Sequence, residues 1–505
     1  MAALLVIFVH GWSVTSTDTY GELPARLAAE STKGGGPKLD VQHLYLGKYI
    51  SFRDEVRLPD LSRAFEAALQ PVLAQAGAQR RFVCITHSTG GPVVRDWFDR
   101  HYVQTKLTGQ CPMSHLIMLA PANFGSALAQ LGKSRLGAIK AWFDGVEPGQ
   151  GVLDWLELGS PEACELNLRW INDYPRLKLT ESANPIFQFV LSGETIDRKL
   201  YDFINPYTGE IGSDGVVRLA AANLNASHII LQQPAIIAGE SLPSARKRLR
   251  SLEYVRGRRS ASTAFKIVAG ASHSGGDKGI MRSVRNDGAP HATVDAILRC
   301  LRVADAGSYA ALTQAFSSEN ATQQAIDNRL EIEKVPVLPD RRYFHDPHAM
   351  VIFRLLDSEG MSAPEVKLLL TAGPNHDPNQ LPEGFLADRQ FNKRSGNLTF
   401  FLNHAALTGC PAIPGPKPGQ TARLEWIARP PYGLKIQSRD GEHFVEHWES
   451  ELHSSVKDLL PMISANETTI IDIRLTRVVR EGTFRLTRQL VSQSFKNTEP
   501  GGVIG

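Results

Sequence analysis

Apolar and polar positions fall into alternating blocks from the first residue onward. "ALLVIFVHG" is a continuous apolar run of strand length and "VQHLYLG" is a second. "DLSRAFEAALQPVLAQAG" spaces Leu61, Phe65, Ala68, Leu69, Val72 and Leu73 along one helical face, with Asp60 in the place of an N-cap. "RFVCITHS" then reads as a strand, "GGPVVRDWFDRHYV" as a helix and "SHLIMLAP" as a strand. Strands that are apolar on both faces, with helices between them, predict a parallel sheet covered on each side.

The pattern changes between about 125 and 182, where "LAQLGKSRLGAIKAWF" and "GVLDWLELGSPEACELNLRWI" are amphipathic and aromatic-rich and hold no strand. This stretch is expected to be an insertion over the sheet, either a lid or a set of ordinary packing helices. The sheet resumes with "PIFQFVLSG" and, after the charged stretch "ARKRLRSLEYVRGRRS", ends with "TAFKIVAGASHSGG". The helix "HATVDAILRCLRVA" closes a first domain over 1–305, and 306–335 forms a polar helical connector. From 336 to 505 the runs "AMVIFRLL", "EVKLLLTAG", "NLTFFLNHAAL", "ARLEWIARPP", "GLKIQSRDG" and "TTIIDIRLTRVV" are separated by Gly, Pro, Asn and Asp, which predicts a β-rich, sandwich-like domain of antiparallel strands.

Composition narrows the function classes. The 505 residues are 42% apolar, enough for a large core, and 55 basic against 52 acidic residues leave a formal charge of +3 with no basic stripe of the kind nucleic acid selects. Five dispersed cysteines without a CxxC pair point to reduced thiols rather than a disulfide scaffold or a zinc site. The N-terminal apolar run stops at His10-Gly11, too short for a signal sequence, and no run reaches the roughly 20 residues of a spanning helix. A protein made in the cytoplasm is therefore expected.

The candidate chemistry starts at "CITHSTGG". A serine at the end of a buried strand, followed by Gly90, Gly91 and a helix, matches the G-x-S-x-G nucleophile elbow except that Thr86 stands where the first glycine belongs. Ser88 is the expected nucleophile, and the backbone N–H of Thr89 at the helix start is an expected oxyanion donor. The His-Gly of "FVHGW" supplies a tight turn after the first strand, with the Trp12 amide as the second donor. An acid is expected at Asp214 in "GEIGSDGVVRLAAANL", with Asp197 in "LSGETIDRK" as the alternative. The base is expected at His273 in "GASHSGG", with His291 in "GAPHATVD" as the alternative. Ser88, Asp214 and His273 stand in the chain order, serine then acid then histidine, of hydrolases built around such an elbow, and a triad of this kind cleaves esters through an acyl-enzyme.

No cofactor and no metal is expected. "FHDPHAM" groups His345, Asp346 and His348 but offers no fourth ligand, and "STKGGGPK" lacks the lysine and hydroxyl of a phosphate-binding loop. The cluster Arg246, Lys247, Arg248, Arg250, Arg256, Arg258 and Arg259 is either a solvated face or a surface for anionic headgroups.

Together, "VIFVHGW", "THSTGGPVVRDW", "LIMLAPANFGSALAQLG", "GSDGVVRLAAANL" and "GASHSGGDKGIM" resemble α/β-hydrolase serine lipases, among them GPI-inositol-deacylase-like hydrolases and the lipase effectors of bacterial type VI secretion systems. The resemblance covers 1–305. It implies an α/β-hydrolase fold, hydrolysis of membrane phospholipid esters, delivery into a neighbouring cell, and two protein partners, an immunity protein and a spike protein of the secretion apparatus. The competing expectations are a soluble carboxylesterase and a non-catalytic binding protein built on the same fold.

Overall fold

The computed structural model describes residues 3–9, 11, 17–45, 53–77, 81–134, 149–196, 212–325, 330–334, 341–363, 366–438, 445–452, 458–479 and 496. The apolar runs form strands β1 (Leu4–Val9), β2 (Leu39–Leu44), β3 (Phe82–His87), β4 (Met113–Leu119), β5 (Phe187–Gly193) and β8 (Ala264–Val268). They make one parallel sheet in the order β2-β1-β3-β4-β5-β8.

Side chains of one strand point alternately to the two faces, and both faces are covered. Leu5, Ile7 and Val9 of β1 join a core with helices α2 (Leu58–Ala76) and α3 (Gly90–Phe98). Val6 and Phe8 join a second core with α1 (Leu23–Lys33) and the helix Ala292–Leu301. Because β2 lies on one side of β1 and β3 on the other, the chain reverses direction of winding between β1 and β3. The crevice beyond the carboxyl ends of those two strands is where doubly wound sheets place ligands.

One local expectation changes. Asp60 is not the N-cap of α2: the helix begins a turn earlier, Arg57 is the N-cap with a proline in the first turn, and the Asp60 carboxylate accepts the Arg57 N–H at 2.9 Å. A carboxylate at the third helical position satisfies an orphan donor as well as an N-cap does. The polar stretch after residue 305 is a helix, Ala306–Ala325, with Tyr309, Leu312, Phe316 and Asn320 buried against the edge strand β8. The Asn320 amide accepts from Ile267 N at 2.9 Å and donates to Phe265 O at 2.8 Å, closing an edge that would otherwise expose unpaired backbone.

Between β5 and the chain end a second, mixed sheet forms. It contains β6 (Ala226–Gln232), β7 (Ser251–Arg259), β11 (His348–Asp357), β12 (Val366–Thr371), β13 (Leu386–Phe391), β14 (Leu398–Asn403), β17 (Gly433–Ser438), β19 (Ser450–Leu452) and β20 (Thr468–Leu475) in the order β12-β17-β19-β7-β6-β20-β11-β14-β13. Short ribbons pair β9 (Leu330–Glu333) with β10 (Arg341–Phe344), β15 (Ile413–Pro414) with β16 (Thr421–Arg423), and β18 (Val445–Glu446) with β21 (Val478–Val479). Pairing is antiparallel, as the short spacings predict, except at β19–β7, β6–β20 and β20–β11, which are parallel. The hairpin β6–β7 thus completes a sheet whose other strands come from the C-terminal part of the chain. The edge strands β12 and β13 both line one cavity of about 290 Å³, so the sheet curls until its edges approach each other.

One face of this sheet, with Met350, Ile352, Phe401 and Ile470, shares the core of α2 and α3; its other face holds a separate core with Val351, Phe353, Leu368 and Ile436. The stretch expected as a lid contributes α4 (Ala127–Ser134) and the helices Gln150–Leu156 and Pro161–Asn172, while 135–148 lies outside the described residues. The last two helices are packing helices: Leu153, Trp155, Leu156 and Ile171 are buried, and the β13–β14 turn grips them through Asn397 to Gly159 O at 2.8 Å and Asn392 to the Glu157 carboxylate at 3.2 Å.

Candidate active site

Ser88 follows β3 directly and takes a left-handed backbone conformation, φ 53°. That conformation is uncommon for a residue with a side chain, and it allows the strand to turn at once into α3. Two close approaches shape the turn. A Cβ on Gly91 would lie 2.9 Å from Pro121 Cβ, which leaves no room for a side chain there, and a Cβ on Gly11 would lie 3.0 Å from His87 O and 3.3 Å from Ser88 Cβ, a tight fit against the elbow. Thr86 is fully buried in β3 and is accommodated, but its hydroxyl has no hydrogen-bond partner among the described residues. Thr89 is the N-cap of α3, which puts its backbone at the positive end of the helix.

His273 lies in the loop after β8. Ser272 N donates to Lys278 O at 2.8 Å and Ile280 N donates to Ser272 O at 2.8 Å, so the loop is pinned on either side of the imidazole. Ala271 O accepts from Glu194 N and Thr195 N just beyond β5 at 3.1 and 3.0 Å. That docking requires Gly193, because a Cβ there would stand 2.2 Å from the Ala271 carbonyl.

Asp214 is fully buried in a turn closed by Asp214 N to Val217 O at 3.2 Å. One carboxylate oxygen accepts the N–H groups of Val216 and Val217 at 3.0 and 2.7 Å, which leaves the other for the imidazole. The His273 Nδ1–Asp214 Oδ2 distance is 2.9 Å and the His273 Nε2–Ser88 Oγ distance is 3.1 Å. With Nδ1–H donating to the carboxylate, Nε2 is left to accept from the serine hydroxyl, the tautomer that general-base chemistry requires. The backbone adds a link, His273 N to Asp214 O at 2.9 Å.

The structure brings Ser88, His273 and Asp214 together and places His291 elsewhere. His291 caps the helix Ala292–Leu301, accepting Thr293 N at Nδ1 over 3.3 Å, and its Nε2 is 3.3 Å from Ser283 Oγ. Burial, and then the nearby Arg26, lower its pKa. Asp197 and Trp12 lie outside the described residues. The His345, Asp346 and His348 group is dispersed into separate contacts: His345 meets Glu331 at 2.9 Å, Asp346 accepts from Arg423, and His348 stacks on Phe401.

Two supporting residues escape a reading of motifs. His87, just before the serine, puts its ring 4.7 Å from that of His273 and its Nε2 3.1 Å from the His273 carbonyl oxygen. Arg218, four residues after Asp214, is buried, lies 4.2 Å over the Phe401 ring and pairs with Asp388. The only sequence signal for either was adjacency to a motif. The acid loop is clasped from the other side too, by Ser126 Oγ to Val216 O at 2.5 Å and Asn123 Nδ2 to Ala222 O at 2.7 Å.

No family model matches the chain, and no curated protein does. Among solved structures, a phospholipase PlaB from Legionella pneumophila is similar over 98% of this chain and 98% of its own, with 40% identity and a TM-score of 0.81. A second structure of that phospholipase, in complex with thio-NAD, aligns over 99% of this chain and all of its own, with 38% identity and a TM-score of 0.81.

Proposed function

The chain belongs to the family of the Legionella pneumophila phospholipase PlaB, and from that premise we propose that it is a serine phospholipase of the A type, cleaving carboxylic ester bonds of membrane phospholipids through Ser88, His273 and Asp214. The observation that carries the chemistry is the continuous pair of contacts from Asp214 Oδ2 through the imidazole to Ser88 Oγ, at 2.9 and 3.1 Å.

In this reading Ser88 Oγ attacks the ester carbonyl while His273 Nε2 takes its proton. Asp214 holds the imidazole in the accepting tautomer and stabilises the imidazolium that forms. The oxyanion is met by the Thr89 N–H and, as the sequence suggests, by the Trp12 N–H. Collapse expels the lysophospholipid alcohol, which takes the proton from His273 and leaves the acyl group on Ser88. Water, deprotonated by the same imidazole, then releases the fatty acid and restores the serine. The bonds made and broken move no hydride, so a dinucleotide of the kind bound by the relative has no part in these steps.

The test compares wild type with Ser88→Ala on phosphatidylcholine vesicles and on a soluble short-chain ester. Turnover of both by wild type, with a loss of roughly three or more powers of ten in the alanine variant, is the expected result. Activity retained by Ser88→Ala removes the nucleophile, and activity on the soluble ester alone removes the lipid substrate in favour of a carboxylesterase. His273→Ala should match Ser88→Ala, whereas His291→Ala should lose stability rather than turnover.

The likeness of the five sequence motifs to type VI lipase effectors supports a finer version, in which the enzyme reaches a neighbouring cell's membrane and an immunity protein restrains it in the producer. In co-culture, a producer carrying Ser88→Ala should then lose its advantage over target cells that lack the immunity protein.

A further inference from the structure

The arginine-rich stretch after β6 takes no part in the chemistry above, yet it has an unusual form. β6 is buried along nearly its whole length, whereas its partner β7 is exposed at five consecutive residues, Glu253 to Gly257. β19 pairs with β7 only at Ser251 and Leu252, so beyond them the outer backbone edge of β7 has no strand beside it among the described residues. The ladder also slips: Ile230 pairs with Arg256 and Leu231 with Tyr254, which leaves Val255 as the extra residue of a β-bulge. A bulge re-aims side chains, and here it presents Val255 and Tyr254 outward, 50% and 43% exposed.

The connection from β6 to β7 lies at the same end of the hairpin. It exposes Ile236 and Ile237 at 45% and 58%, and its helix Leu242–Arg248 carries Arg246 and Lys247 in the last turn. Arg246, Lys247, Arg250 and Arg256 are exposed, and among the described residues none of them joins an ion pair. Of the acidic groups at this end, Glu240 is engaged by Arg248 at 2.5 Å and Glu451 by Lys435 at 3.0 Å, while Glu253 and Glu449 are exposed and join no ion pair among the described residues, so the four cations outnumber the unpaired acids two to one. Charged residues and a bulge alone would serve to keep an open strand edge from pairing. Four exposed apolar side chains beside the cations do not serve that end, since they make the surface more adhesive.

We propose that the β6–β7 hairpin end is a membrane-docking surface for anionic phospholipid, with Ile236, Ile237, Tyr254 and Val255 entering the headgroup layer and Arg246, Lys247, Arg250 and Arg256 meeting lipid phosphates. The proposal rests on the phospholipase reading for its choice of occupant. Positive charge set around a small apolar tip is complementary to a negatively charged lipid surface, where each cation strengthens partition roughly fivefold. Tyrosine suits the boundary, since its ring is apolar and its hydroxyl polar. Its hydroxyl already reaches over Gly257, where an added Cβ would lie 2.5 Å from it.

The test uses Ser88→Ala protein, which leaves the lipid intact, and measures co-sedimentation with phosphatidylcholine vesicles with and without phosphatidylglycerol. Binding should be stronger with phosphatidylglycerol and weaken with salt. Arg250→Glu with Arg256→Glu should lower partition on the anionic vesicles at least about tenfold, and Tyr254→Ser with Val255→Ser should lower it on the order of tenfold. The same substitutions in active protein should leave turnover of a soluble ester unchanged. Partition unchanged in both variants overturns the proposal. So does an altered oligomeric mass with vesicle binding intact, which would assign the surface to a second copy of the chain. If charge reversal impairs folding, Arg250→Gln with Arg256→Gln gives the same reading at smaller amplitude. A wild type that binds vesicles through this hairpin without hydrolysing them would leave the docking surface standing and remove the phospholipase reading.

Discussion

Thr86 shows how a departure from a motif can be absorbed at the scale of a single residue. The first elbow position must be small because β3 turns sharply beneath α3, and threonine fits there with its hydroxyl buried and unpartnered among the described residues. An unmade hydrogen bond inside a core costs about 1–3 kcal/mol, whereas an apolar group of the same shape costs nothing of the kind. Thr86→Val should therefore raise stability, by about 1 kcal/mol, with turnover retained. Urea unfolding together with an ester assay checks both parts; a destabilised variant would mean that the hydroxyl has a partner after all. The motif itself was legible in sequence because the elbow is local: strand, serine, glycines and helix lie within a few residues. Asp214 was legible for the same reason, since a Ser-Asp-Gly turn folds its own backbone N–H groups onto the carboxylate.

At the scale of elements, the acid loop is held by its neighbours as much as by itself. Arg218 bridges from that loop to Phe401 on β14 and Asp388 on β13, two strands far along the chain, the Asp388 contact spanning 170 positions. It touches neither Ser88 nor the imidazole in any described contact, so it acts as a positioning residue. Arg218→Met should lower kcat on a soluble ester by roughly tenfold or more with little change in KM, because the acid is displaced while the substrate pocket is not. An equal loss in KM would place Arg218 on the substrate instead. No pattern in the sequence could have announced this pairing, for it depends on where a distant sheet docks.

Two buried histidines give the same elements a defined pH response. His115, between Phe187 and Phe189, and His348, stacked on Phe401 and against Gly212 at the head of the acid loop, are both pushed down to about 4 by burial. With folded values near 4 and an ordinary value of 6.5, the unfolded chain binds these protons in that interval and the native chain does not. Stability must then fall as pH drops from about 6.5 toward about 4, by on the order of 2–3 kcal/mol for each histidine. Denaturation midpoints across that range measure the slope. His115→Gln, which keeps a donor for the Val303 carbonyl, should remove its own share and leave those of His348 and of His43, His291 and His404, whose pKa values burial also lowers.

For the whole molecule, the strand pairing decides what can fold alone. The parallel sheet was readable because its strands are apolar on both faces, and such runs stand out in any window. The second sheet was not, for two physical reasons. β7 is exposed on both faces and so shows no period, and β6 pairs with β20 across a long stretch of chain in a register that local sequence does not encode. Removing everything after residue 335 would strip β20 from β6 and β19 from β7, and would uncover the core shared with Met350, Phe401 and Ile470. A 1–335 fragment is expected to aggregate and to hydrolyse no soluble ester. A soluble, active fragment would show that the hairpin can find other cover.

The place of β20 between β6 and β11 also bears on biosynthesis. Thr468 Oγ donates to Ala220 O at 2.7 Å, across 248 residues, and Asn223 Nδ2 donates to Asn466 O at 2.8 Å, so the segment just after the acid is fastened by a strand synthesised long after it. At ordinary elongation rates that is a wait on the order of tens of seconds, during which Ser88, Asp214 and His273 are already made but the stretch behind the acid lacks its fastening to β20. Chains arrested on the ribosome before β20 emerges should therefore hydrolyse no soluble ester, and activity in them would mean that the acid loop seats itself without that strand.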